Sequence, residues 1–96
     1  MDRQFPIGRF VYQPSEVDTA SPIARLTTLP QRLKEAWANC PEGLRDEPYR
    51  DGGWTRRTVV HHLADSHLNM YVRIKLALTE DEPTVKPYDE NAWATL

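Results

Sequence analysis

Residues 55–79 read TRRTVVHHLADSHLNMYVRIKLALT, twenty-five positions without a glycine or proline. Thr55 is a suitable N-cap, so the stretch predicts a long helix over about 55–79. On a helix each residue advances by about 100°. Val59, Val60, Leu63, Ala64, Met70, Tyr71, Ile74, Ala77 and Leu78 then fill a broad apolar arc, with His67 among them. His61, His62, Asp65, Ser66, Asn69 and Arg73 gather on the opposite, polar arc. An apolar arc this wide needs other helices to cover it, which predicts an all-α bundle.

The segments around this helix are simpler. Residues 1–20 carry Pro6, Gly8 and Pro14 and show no helical period, so they read as an extended arm. Phe5, Ile7, Phe10 and Tyr12 are expected to lie on a neighbouring apolar surface. A first helix is predicted over about 22–40, with Ser21 as N-cap and Pro22 at the first helical position. Ile23, Leu26, Leu29, Leu33, Trp37 and Cys40 recur every three or four residues along it, and Pro30 predicts a kink or a later start near Leu29. Residues 41–54 form a polar connection whose Gly52-Gly53 pair predicts a tight turn into the long helix. Residues 80–96 form a tail with room for a short helix near Asp89.

Composition bounds the function. The chain has 96 residues, 40% of them hydrophobic, with 12 basic and 14 acidic residues and a formal charge of −2. Positive charge is neither in excess nor clustered, so nothing favours nucleic acid or an anionic membrane. No apolar run approaches a membrane span or a signal peptide. The single Cys40 cannot form an internal disulfide. A cytoplasmic, soluble protein is the expectation.

All three histidines lie in the long helix, at offsets of one, five and six. None of these offsets puts two imidazoles on one face, so no two of them can grip a shared ion. His67, on the apolar arc, reads as a packed imidazole. On spacing alone, His61 with Asp65, and His62 with Asp65 or Ser66, are the local pairs. A metal-free acid–base reading of His61 with Asp65 lacks a nucleophile and an oxyanion donor. The polar arc reads either as a solvated face or as one wall of a pocket. In the second reading Asp65, Ser66, Asn69 and Arg73 line it, and Arg73 suits an anionic group because its planar fork pairs with carboxylates. Tyr49, Trp54, Tyr71, Tyr88 and Trp93 read as packing residues.

The stretch YRDGGWTRRTVVHHLADSHLNMYVRIKLALTE (49–80) resembles the DinB/YfiT-like family of metal-dependent hydrolases. FPIGRF (5–10) and EPTVKPYDENAW (82–93) extend the resemblance over essentially the whole chain. It implies a DinB-like four-helix bundle, with the arm and first two helices supplied here. It also implies one nickel or zinc ion per complete domain, held by three histidines. The family's second-helix ligand, the second histidine of the VVHH pair, falls on His62; His61 becomes an outer or surface residue and His67 is not a ligand. The four pocket residues come from the helix projection, not from the family motif.

Function follows as an expectation. The family is one of metal-dependent hydrolases, some members acting as S-transferases that join a low-molecular-weight thiol of the bacillithiol type to an electrophile. A three-histidine ion with an open position activates water or a thiol at neutral pH. The substrate would be a small molecule. The family's last two helices, with the other two ligands, have no counterpart in this sequence. The expectation is therefore the N-terminal half of a domain of about twice the length, or a short protein whose copies form a homodimer that rebuilds four helices. The competing expectation is a non-catalytic helical hairpin with an inert histidine motif.

Overall fold

The structure, a computed structural model, describes residues 3–11, 13 and 18–96. The chain divides into two units, Met1–Leu44 and Arg45–Leu96. Among the described residues every regular element is helical, apart from an isolated antiparallel bridge between Pro48 and Thr55.

In the first unit the arm turns on itself. Gly8 takes a left-handed φ of 81° and its N–H donates to the Phe5 carbonyl at 2.9 Å. The Arg9 guanidinium sits 3.9 Å from the centroid of the Phe5 ring. Phe5 is thereby half-buried, but Ile7 and Phe10 are 98% and 89% exposed. The expected seat of the arm on an apolar surface is thus not found for Ile7 and Phe10, because the turn and the cation–ring contact engage Phe5 alone. Tyr12, the fourth residue of that expectation, lies outside the described residues.

Helix α1 spans Ala20–Asn39. Its start corrects the expected Ser21 cap. The Asp18 carboxylate accepts from the Ala20 and Ser21 N–H groups at 3.0 and 3.4 Å, two of the donors a helix start leaves free. Pro22 then falls in the first turn, where its missing N–H is still harmless. The helix runs through Pro30. Thr28 bonds the Ala24 and Arg25 carbonyls one turn earlier, and Arg32 reaches the Arg25 carbonyl at 2.8 Å. Leu29, Leu33, Trp37 and Cys40 make a half-buried stripe, whereas Ile23 and Leu26 ahead of Pro30 stay exposed. A short 3-10 turn, Glu42–Leu44, follows.

The second unit is built on helix α2, Arg56–Thr79. Thr55 caps it, its hydroxyl accepting from the Thr58 N–H at 3.0 Å. Three backbone bonds help to hold the loop ahead of it. Tyr49 N–H donates to the Trp54 carbonyl, Gly53 N–H to the Arg50 carbonyl, and Arg57 N–H to the Arg45 carbonyl. Arg57 also grips the Asp46 carboxylate with two bonds, of 2.7 and 3.2 Å. Helix α3, Glu90–Ala94, is capped by Asp89 and packs on α2.

Among the described residues none is buried. Leu68, Tyr71, Ile74 and Leu78 on the apolar side of α2 are all exposed, Leu78 at 81%. The polar stripe His62, Asp65, Ser66, Asn69 and Arg73 is half-buried instead.

Candidate functional site

His62, Ser66, Asn69 and Arg73 stand at offsets of four, seven and eleven along α2, which places them in one narrow stripe. Asp65 flanks it. At the stripe's N-terminal end the Trp54 ring covers His62, with centroids 4.8 Å apart and planes tilted by 52°. Trp54 is anchored from the far end of the chain, because its indole N–H donates to Asn91 Oδ1 of α3 at 3.2 Å. The His62 imidazole is thus held by one aromatic neighbour whose own position depends on α3. The sequence marks Trp54 only as a packing residue and Asn91 not at all. Trp54 precedes the helix and Asn91 lies 37 residues on, so no periodicity links them to His62.

Midway along the stripe, Asn69 donates from Nδ2 to the Asp65 carbonyl at 2.8 Å, a bond back to its own helix. Ser66 and Asp65 are half-buried beside it. His61 is exposed. His67 is half-buried rather than enclosed, since the apolar arc around it is open.

At the C-terminal end Arg73 meets the tail. Its Nη2 donates to the Lys86 carbonyl at 3.0 Å, and its guanidinium carbon lies 6.0 Å from the Tyr88 ring centroid. Tyr88 in turn stacks at a tilt on Trp93, centroids 4.9 Å apart. Helix and tail enclose a groove of about 500 Å³ whose lining includes Asn69 and Arg73 but not His62, Asp65 or Ser66. The predicted pocket residues therefore share one helix face yet divide between two neighbourhoods.

The donors among the described residues do not complete a metal site. Among the described residues no three His, Cys, Asp or Glu side chains come together. Cys40 belongs to the other unit, at the C-cap of α1. His62 gives a single imidazole, and a divalent ion of the zinc or nickel type needs three or four ligands.

Residues 25–96 match the model of the DinB superfamily. The chain belongs to that superfamily. It is 49% identical over 96 residues to YfiT of Bacillus subtilis, covering 96% of this chain and 53% of that protein. A Bacillus cereus relative is 48% identical over 99 residues, covering 99% of this chain and 56% of its own. The solved structure of YfiT superposes with a TM-score of 0.83, over 96% of this chain and 54% of that one. YfiT is described as a probable metal-dependent hydrolase with an unusual four-helix bundle topology. This chain carries the same helical fold class and spans about half the length of the curated relatives it matches. No helix of the described residues is long and apolar enough to cross a membrane.

Proposed function

We propose that this chain carries part of the site of a metal-dependent hydrolase, with His62 as its metal ligand and Asp65, Ser66, Asn69 and Arg73 along the pocket wall. The observation that carries this reading is 49% identity to YfiT over 96% of the chain, in a structure whose half-buried stripe contains His62. A divalent ion, nickel or zinc, would supply Lewis-acid activation of water, or of a thiol if the reaction is an S-transfer. His62 would contribute one imidazole nitrogen, with Trp54 limiting the ring's rotation. A small-molecule substrate and a cytoplasmic setting complete the proposal. The missing donors have to come from outside this chain's described residues, and a second copy in a homodimer is one source. A non-catalytic hairpin is the second reading, favoured by the lack of a three-donor cluster among the described residues.

Native mass spectrometry of the chain with added nickel or zinc, beside a His62→Ala copy, tests both. A discrete metal-loaded dimer that disappears in the variant supports the site. Equal metal uptake by the two copies removes His62 from it.

A further inference from the structure

The groove between α2 and the tail is more specific than a gap between packed segments. Its volume of about 500 Å³ lies within the range that holds small organic molecules. Val72, Leu76, Val85 and Trp93 give it apolar walls, and its charged lining residues are Arg73 and Lys86. None of the described residues lining it is acidic. The acids of the same segment, Glu82 and Asp89 among them, are exposed and outside the lining. Arg73 spends one N–H on the Lys86 carbonyl, while its Nε is buried without a hydrogen-bond partner. A buried guanidinium donor without an acceptor is uncommon and calls for one.

We propose that this groove is an acid-binding subsite, taking a molecule with an apolar body and a terminal carboxylate that pairs with Arg73 and Lys86. The apolar walls take the body, and two cations with no competing acid fix the orientation of the charged end. The inference rests on the hydrolase reading only in treating the α2 stripe as a substrate wall, and it then narrows the substrate class. Arg73 follows His62 by eleven residues, about 16 Å along the helix axis. A substrate anchored at Arg73 therefore needs a span of that length, passing Asn69 and Ser66, before its reacting bond reaches the level of His62.

The test uses the metal-free chain and octanoate, with octan-1-ol as the uncharged counterpart, followed by ¹H–¹⁵N spectra of the three tryptophan indoles. Trp93 lines the groove and Trp37 and Trp54 do not, so they serve as internal controls. Octanoate is expected to shift the Trp93 signal saturably, with octanol binding about tenfold more weakly, the size of a charge-assisted pairing. Lys86→Gln should weaken octanoate about tenfold and leave octanol unchanged. That variant carries the test because Lys86 meets Arg73 through its backbone carbonyl, whereas Arg73→Gln also removes the bond that holds the tail. His62→Ala should bind octanoate as the parent does, so loss of the metal site and loss of the subsite are read separately. Equal affinity for acid and alcohol, or a non-saturating shift of all three indoles together, overturns the proposal.

Discussion

A Cβ added at Gly53 would stand 2.7 Å from Arg50 Cγ, 3.0 Å from Tyr49 Cε1 and 3.2 Å from the Arg50 carbonyl oxygen. Two of these neighbours are mid-chain or ring atoms and the third is backbone, so none moves cheaply. Gly53→Ala should destabilise the chain by about 1–2 kcal/mol, as overpacking generally does. Gly43 has open space around it, and Gly43→Ala should stay within about 0.5 kcal/mol. Urea midpoints of the two variants against the parent separate these outcomes, and equal midpoints would show that the 49–53 turn yields freely. The Gly52-Gly53 pair was legible as a turn because glycine doublets punctuate elements. Why the second glycine cannot carry a side chain was not legible. The reason is the path of Arg50 and Tyr49 around the bend, which depends on the Tyr49–Trp54 bond closing it.

Helix α2 was the most legible element, because a cap followed by more than twenty residues without glycine or proline leaves little else to form. Its cap gives a direct prediction. Thr55→Ala removes the acceptor for the Thr58 N–H and should cost about 1 kcal/mol, with Thr55→Asp restoring most of it; thermal unfolding of the pair checks this. A variant indistinguishable from the parent would assign the helix start to the Arg57–Asp46 clamp instead. That clamp has its own signature in pH. The side-chain bond from Arg57 holds the Asp46 carboxyl below the ordinary carboxylate value. A lowered folded value means the clamp contributes above the unfolded carboxylate range and loses its contribution as pH falls through the folded value. Asp46→Asn should therefore lower the urea midpoint at pH 6 and make no difference near pH 2; the effect is small because both side chains are largely solvated. A gap that persists at low pH would point to geometry rather than charge. By contrast, α1 starts two residues ahead of the point that the local Ser21-Pro22 signal indicates, because Asp18 reaches two free N–H groups at once.

At the scale of the whole molecule, the helix projection separates two arcs of α2 but cannot say which one the chain itself covers. The answer depends on the 83–93 segment, whose Arg73, Tyr88 and Trp54 attachments run along the polar stripe. That leaves Leu68, Tyr71, Ile74 and Leu78 exposed on the other side, a contiguous apolar face of the kind that marks an interaction surface. Relatives of about twice the length share the DinB family, and YfiT itself is a four-helix bundle. Helices draw most of their stability in water from packing such a face, not from propensity. The 96-residue chain should accordingly gain helix content as its concentration rises, with far-UV ellipticity at 222 nm and sedimentation mass increasing together over about 1–100 μM. The paired substitution Ile74→Lys with Leu78→Lys puts two charges on the exposed face without touching the tail contacts. It should hold the mass at that of a monomer and keep helicity at the low-concentration value throughout. If the parent shows full helicity at every concentration while remaining monomeric, the local contacts of α2 with its loop and tail are sufficient, and its open apolar face contributes nothing to folding.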